Sequence, residues 1–346
     1  MIEIVALSEA MREAVGLAER VAPTNANVLI TGESGSGKDA LAAFIHSRSV
    51  RTAHPLVKID CATLPADLLE AELFGYERGA FTGATEAKPG RLEAAHRGTL
   101  VLDEIAHLTL DAQAKLLRVI EHREFERLGG RKTIAVDCRL VALTNADLKN
   151  AVERRAFRDD LFYRLNVVQI TVPALRDRRR DLEPLARALV KTYAAKHGRP
   201  ARKLSRAAQD LLSSYEFPGN VRELANIIER AVIICGTAEV EANDLPESVR
   251  LAATQLARKD RRPTLAEVES DYIRETLTAT RGNKTEAARV LGISRKNLYE
   301  RLARENAEVR DQRSDVRDQR SEVSKDVSPA NGSDDHSDVS GGESDS

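Results

Sequence analysis

The chain has 346 residues, 42% of them hydrophobic and 31% charged, with a formal net charge of −1. That length accommodates one large domain plus one or two small ones, and no apolar run approaches the roughly 20 residues that cross a bilayer. The start, MIEIVALSEAMREAVG, lacks the basic-then-apolar layout of a signal peptide. Cys61, Cys138 and Cys235 are odd in number and have no CxxC spacing. A reduced, cytoplasmic protein is therefore expected, with no membrane contact, disulfide framework or zinc site. The near-zero charge hides an asymmetry. Residues 309–346 hold 10 Asp/Glu against 5 Lys/Arg, a net of −5, which leaves +4 on the rest. Total charge is thus no argument against nucleic-acid binding, which depends on local distribution.

Residues 1–22 read as helical, with Val5, Met11, Val15 and Leu17 among small and charged residues. From Val28 to about Thr171, β-rich runs alternate with longer helical patterns: VLI at 28–30, LVKI at 56–59, TLVL at 99–102, CRLVAL at 138–143 and VVQI at 167–170. This alternation predicts an α/β domain, a mostly parallel sheet with helices on both faces, over residues 1–180. Helical segments at 181–197, 205–214 and 221–235 predict a small helical domain over 181–249, with FPGN at 217–220 as the turn into its last helix. Residues 250–263 are polar, basic and end in proline, as a linker does. An all-α unit is expected over 264–305, its first helix carrying Leu265, Val268, Tyr272, Ile273 and Leu277 on one face. In the expected tail, 306–346, VRDQRS occurs at 309–314 and again at 316–321 with a lone valine as its aliphatic, too little for a coiled coil. Residues 324–346, with 7 Ser and 6 Asp/Glu, are expected to be disordered, as a solubilising or duplicated segment or, alternatively, a regulatory one.

The sharpest local signal is GESGSGK at 32–38, placed between a strand and a helical segment as a P-loop requires. Gly32, Gly35 and Gly37 let the backbone amides of Gly32, Glu33, Ser34, Gly35, Ser36 and Gly37 wrap phosphates, and Lys38 brings a point charge to the β and γ oxygens. The generic motif next has Ser or Thr, whose hydroxyl touches Mg²⁺; here that position is Asp39. Its carboxylate can hold the metal directly or through water, so altered metal geometry rather than lost ATP binding is expected. TLVLDE at 99–104 is a strand ending in two carboxylates: Asp103 to hold magnesium, Glu104 to polarise an attacking water. Asn145, beside Thr144 at the end of CRLVALTN, is placed to sense the γ-phosphate or the water. In FRDDLFYRL at 157–165, Arg158 and Arg164 read either as arginines that reach a neighbour's nucleotide or as surface partners of Asp159 and Asp160. Arg222, after FPGN, is a further candidate for reading nucleotide state.

With these residues in view, the chain closely resembles the AAA+ activators of sigma-54 RNA polymerase, the bacterial enhancer-binding proteins. The deciding motif is GAFTGA, Gly79, Ala80, Phe81, Thr82, Gly83 and Ala84, within ELFGYERGAFTGA at 72–84; AKLLRVIEHREFERLGG at 114–130 and FPGNVREL at 217–224 also match. The resemblance covers about residues 5–246 and implies a hexameric ring that hydrolyses ATP to remodel the closed promoter complex. It implies that Phe81 and Thr82 contact sigma-54, that residues near Glu124–Gly130 form a second loop moving with them, that Arg158 and Arg164 act in trans, and that Arg222 is a nucleotide sensor on the lid. The family usually has Glu at position 39 and Asn at position 60. Asp60 in KIDCATL therefore stands where an amide would bond the catalytic Glu, and two carboxylates cannot share one hydrogen bond unless one is protonated or a cation intervenes; weakened or differently timed coupling is expected, or a local rearrangement that absorbs the swap.

Residues 285–304 read as helix, turn at Leu291–Ile293, and second helix with Ser294 as N-cap; Ala287, Ala288, Leu291, Ile293, Leu298 and Leu302 form the apolar set. From 281 to 304 the net charge is +5. This is the layout of a helix-turn-helix, and it is similar to the Fis-type domain that ends many sigma-54 activators. The resemblance makes the first helix a dimerisation element. Arg295 and Asn297 are the expected base readers, with Lys296 and Arg301 on phosphate. Only about 22 residues precede the ATPase, so no receiver or sensor domain is expected there, and a trans-acting regulator, expression level or constitutive activity are all compatible as control. The rivals are a DNA-binding regulator independent of sigma-54 with weak or uncoupled ATPase, a non-transcriptional remodelling ATPase, and a poorly hydrolysing nucleotide-binding scaffold.

Overall fold

The computed structural model describes residues 4–200, 203–251, 265–280 and 282–301. The expected linker beyond residue 251, the acidic tail and Leu302 lie outside the described residues. The described residues fall into two compact units, one within residues 4–251 and the other within residues 265–301.

In the first unit, α1 (Glu9–Val21) precedes β1 (Val28–Thr31), α2 (Lys38–Ser47), β2 (Leu56–Asp60) and α3 (Ala66–Phe74). A two-residue hairpin pair, β3 (Gly75–Tyr76) and β4 (Lys88–Pro89), frames the GAFTGA segment. Then come α4 (Arg91–Ala94), β5 (Thr99–Asp103) and α5 (Leu110–His122), followed by a second antiparallel hairpin, β6 (Glu124–Glu126) and β7 (Thr133–Ala135). The core closes with β8 (Arg139–Thr144), α6 (Leu148–Glu153), α7 (Asp159–Leu165) and β9 (Val168–Thr171). The main sheet has the order β2-β5-β8-β1-β9 and is parallel throughout. β5 and β8 are nearly continuous apolar runs because both faces of a parallel sheet are covered. Val28 and Ile30 pack with α1 and α2 on one face, whereas Leu29 between them packs on the other with α3 and α5, the period-two alternation of a strand. β2 lies at the edge and is correspondingly more exposed.

Arg139, at the start of β8, is the largest fully buried side chain. Its guanidinium donates to the carbonyls of Val21 (2.9 Å), Ala22 (2.7 Å) and Ala26 (3.1 Å), where the last turn of α1 leaves acceptors without helical partners. Burial lowers its pKa to about 10, still charged at neutral pH.

The helical part is built on α8 (Leu182–His197), β10 (Lys203–Leu204), α9 (Arg206–Ser214), α10 (Asn220–Ile234) and β11 (Glu239–Val240) around its own apolar cluster from Leu175 to Val249. Asp181, fully buried just before α8, accepts from the Leu7 amide (2.6 Å), the Ser8 amide (2.8 Å) and the Ser8 hydroxyl (2.8 Å).

In the second unit, a helix over Leu265–Ala279 is followed by one over Lys284–Val290 and helical residues 295–301. Ile273, Ala287, Ala288 and Leu298 form its core, with Leu277, Leu291 and Ile293 partly buried against it. Tyr272, expected on the apolar face, is instead exposed: it precedes Ile273 by one position, about 100° round the helix. Ser294 accepts the Asn297 amide at 3.2 Å, as an N-cap does.

Replacing Arg139 with methionine keeps much of the volume but takes the guanidinium donors from the Ala22 and Ala26 carbonyls, while the Val21 carbonyl keeps its bonds from Thr24. The variant is expected to lose about 2–3 kcal/mol, measured from the urea midpoint at unchanged m-value.

Candidate active site

The parallel register brings the carboxyl ends of four strands together, with Asp60 opposite Asp103 and Thr31 opposite Thr144. The loop after β1 wraps over this edge. Gly32, Gly35 and Gly37 all have positive φ, and a Cβ on Gly35 would fall 2.4 Å from the Gly219 carbonyl, so only glycine fits. Ser36 is buried, and its hydroxyl has no hydrogen-bond partner among the described residues. Lys38 starts α2, is buried, and folds back to donate to the carbonyls of Gly32 (2.8 Å) and Glu33 (3.2 Å). Its ammonium lies 3.8 Å from Glu104.

Glu104 follows β5 in the left-handed region, φ 51°. That uncommon backbone turns its carboxylate toward β8, where Oε2 accepts the Asn145 amide at 3.1 Å. Lys38, Glu104 and Asn145 therefore meet, and a base held by one cation and one amide is oriented for proton transfer. Asp60 does not share a hydrogen bond with Glu104. Its Oδ1 accepts the Ala62 amide at 2.9 Å, a local turn that satisfies the carboxylate without the amide expected at this position. Buried Cys61 lies among these acids; burial first, then Asp60, Asp103 and Glu104, push its thiol up to about 12.

Asp39 and Asp103 both bond the ammonium of Lys58, at 2.8 Å for Asp103. Burial works against its charge, but the hydrogen bonds to Asp103 and Asp39 outweigh it and raise the pKa. Lys58 has no motif around it, and nothing in the sequence signals its role. Two carboxylates from separate elements converging on one cation fit a hard divalent ion, which takes one or two carboxylates and completes its shell with phosphate oxygens and water.

The helical part reaches the P-loop through the start of α10. Asn220, buried and at φ 53°, accepts the Leu175 amide (2.7 Å) and donates to Glu33 Oε2 (3.0 Å) and the Ser34 carbonyl (3.1 Å). Arg222 donates to the Ser34 hydroxyl at 2.9 Å. Glu33 is also paired with Arg176 at 2.8 Å; the hydrogen bonds from Arg176 and then Asn220 lower its pKa to about 2. Arg178 is buried and donates to the Ser36 carbonyl. Asn220, Arg176 and Arg178 were not singled out from the sequence.

The expected trans-acting arginines are held elsewhere. Arg158 is paired with Asp160 (2.8 Å), one of the surface partners weighed for it, and Arg164 with Glu121 (3.1 Å). Among the described residues neither touches the P-loop of its own chain.

The GAFTGA segment is closed by Gly79 N–H to Ala84 C=O (2.8 Å) and Ala84 N–H to Phe81 C=O (3.0 Å). Phe81 is 42% exposed, with its ring edge-on to Tyr76 at 5.0 Å. The β6–β7 hairpin is fastened to it. Leu128 and Glu77 exchange backbone bonds with Gly75 and Leu128, and Arg127 forks onto Glu93 (2.8 and 2.9 Å) and Glu77 (3.1 Å). Arg127 thus adds a side-chain link to the backbone pairing of the two loops.

Residues 4–171 match the sigma-54 interaction domain family, 176–262 the AAA+ ATPase lid domain, and 264–304 the Fis family of bacterial regulatory proteins. The transcriptional regulatory protein ZraR of Klebsiella oxytoca is 46% identical over 301 residues, 86% of this chain and 68% of that one. The chain belongs to the sigma-54-dependent, ATP-hydrolysing transcriptional activators. Another member, the regulatory protein AtoC of Escherichia coli K12, is 43% identical over 303 residues, 85% of this chain and 66% of that one. The solved structure of NtrX from Brucella abortus in complex with ATP superposes with TM-score 0.66 at 36% identity, covering 87% of this activator and 68% of that chain. This activator thus spans about two thirds of the length of these relatives. Among its described residues no helix is long and apolar enough to cross a membrane.

In the second unit Arg295, Lys296 and Asn297 are exposed on the last helix, whereas Arg301 is half-buried and paired with Glu269. Arg301, expected on DNA phosphate, already has an internal partner.

Replacing Asn220 with alanine leaves the Leu175 amide and the Ser34 carbonyl without their partners. We expect about 1–3 kcal/mol lost in thermal or urea unfolding, together with weaker nucleotide binding in a fluorescence titration.

Proposed function

We propose that the chain binds MgATP at the carboxyl edge of its sheet and uses hydrolysis in a ring, dimer to hexamer, to remodel the closed complex of sigma-54 RNA polymerase in the cytoplasm. Gly32 to Lys38 hold the phosphates, Asp103 and Asp39 hold the metal, and Glu104, oriented by the Asn145 amide, takes a proton from the attacking water. The bound metal offsets phosphate charge. Arg158 and Arg164, exchanging Asp160 and Glu121 for a neighbour's nucleotide, supply positive charge in trans, and Arg222 reads nucleotide state at Ser34.

The observation that carries this reading is the path from site to loop. Asp60 and Ala62 lie beside the catalytic acids, α3 begins four residues beyond Ala62, and its end leads directly into the hairpin that presents Phe81. A shift at the β2 terminus is transmitted along α3 to Phe81 and Thr82, and through Arg127 to the second loop. The enhancer is held by the Fis-type domain, as dimers, with Arg295 and Asn297 on bases and Lys296, with Arg301 once released from Glu269, on phosphate.

The deciding experiment is capture of sigma-54 by the purified chain with ADP and aluminium fluoride, read by size-exclusion chromatography. Nucleotide-dependent capture is expected, lost in Phe81→Ala with ATP turnover retained. Absence of capture by a folded, nucleotide-binding parent would favour the sigma-54-independent reading. Glu104→Gln is expected to lower turnover about 10²–10⁴-fold while nucleotide still binds. Asp60→Asn tests coupling: identical turnover and capture in variant and parent would remove Asp60 from the path.

On DNA, Lys296→Ala is expected to weaken binding to all sequences and flatten the salt dependence. Arg295→Ala is expected to relax preference at one base by about 1–3 kcal/mol, measured by competition between sites.

A further inference from the structure

The site as described is acidic for one that receives a polyphosphate. Asp39, Asp103, Glu104 and Asp60 all border it, against Lys38 and Lys58. Lys38 is committed to the P-loop carbonyls and Glu104. Among the described residues Lys58 alone spans the two carboxylates assigned to magnesium, one at the start of α2 and one at the end of β5. Its position explains how it gets there. Lys58 lies two residues before Asp60 on edge strand β2, on the same side of the strand, opposite Val101 of β5. A four-carbon stem from that point carries the ammonium along the sheet to Asp103 and across to Asp39. The side chain remains partly open to solvent, so it is free to leave.

We propose that Lys58 is a resident cation of the metal site: it neutralises Asp39 and Asp103 when no divalent ion is bound, and an arriving ion must displace it. This rests on the assignment of Asp39 and Asp103 to magnesium made above. Two consequences follow from Coulomb's law at contact distance. Without metal, Lys58 keeps the two carboxylates from repelling the phosphates, so nucleotide binds this chain with little help from a divalent ion. With metal, the ion competes with a tethered ammonium, so its gain is reduced. Lys58 therefore acts as a positioning residue that sets how strongly nucleotide and metal depend on one another. Asp39, shorter than the glutamate usual in the family, still reaches this ammonium, and the metal site is closed by the protein's own charge.

The test is the affinity of the full chain for a fluorescent N-methylanthraniloyl ADP, measured by anisotropy in EDTA and in magnesium. The readout is the ratio of the two dissociation constants, which a purely structural role would not move. Lys58→Met is expected to raise that ratio roughly tenfold or more, chiefly by weakening the metal-free affinity. Lys58→Arg, which keeps the charge, is expected to stay near the parent. Lys58→Gln serves if the methionine variant does not fold, with the same expected rise. An unchanged ratio in a folded Lys58→Met or Lys58→Gln protein overturns the proposal. Asp103→Asn added to Lys58→Met separates the two levels, because there the ratio of the constant in EDTA to that in magnesium is expected to be large. A ratio that the second substitution brings back toward one upholds Asp103 as a metal ligand, and a raised ratio left unchanged by it overturns the metal assignment and the role of Lys58 with it.

Discussion

The parallel register that sets Asp60 beside Asp103 and Thr31 beside Thr144 decides where charge accumulates in this molecule. Strands that run the same way end on the same edge, and open parallel sheets bind ligands at that edge. Here it collects four acidic side chains and two lysines within one short stretch of surface. Glu104 reaches it only because its own backbone is in the left-handed region, a conformation that costs a non-glycine residue some strain and is sustained by Lys38 and the Asn145 amide. Displacing β2 by one residue against β5 would send Lys58 and Asp60 to the other face of the sheet.

Around this edge the fold places elements that differ in how firmly they are fixed. The sheet interior is apolar and closely covered, and Arg139 locks α1 onto it. The loops bearing Phe81 and Leu128 are held chiefly by paired backbone bonds and one guanidinium fork. Such loops open at lower free energy than the sheet they stand on, which suits segments that engage a partner and let go. The two loops are unlike in sequence yet tied together, since Arg127 of one holds Glu77 and Glu93 beside the other.

Much of this was legible in the sequence where the signal is periodic or carried by glycine. The strands at Val28, Leu56, Thr99, Arg139 and Val168 stand out because apolar runs of this length between helical patterns have few other uses. The P-loop stands out because its glycines need φ values that other residues avoid. Side-chain partnerships across long separations are not legible in this way. Asn220 meets Glu33 across 187 positions, Arg127 meets Glu77 across 50, and Lys58 meets Asp39 across 19, and no local pattern marks any of them. Asp60 shows a different limit. Its identity raised the question of a missing hydrogen bond to Glu104, but only the backbone geometry reveals that Ala62 supplies another. Tyr272 was read onto the apolar face beside Ile273, where a helix turns too far per residue to bury both.

Asp181 bears on how the helical part can move. It binds residues 7 and 8 with three hydrogen bonds, two of them fully buried, at the point where α8 begins. Asn220 and Arg222 meet the P-loop, Asn220 through partly buried bonds to Glu33 and the Ser34 carbonyl and Arg222 through an exposed one to the Ser34 hydroxyl. Arg178, three residues before Asp181, adds a buried bond to the Ser36 carbonyl. The helical part is thus tied at neighbouring points to the segment before α1 and to the phosphate loop, so whatever the loop holds bears on a body that is also anchored at residues 7 and 8.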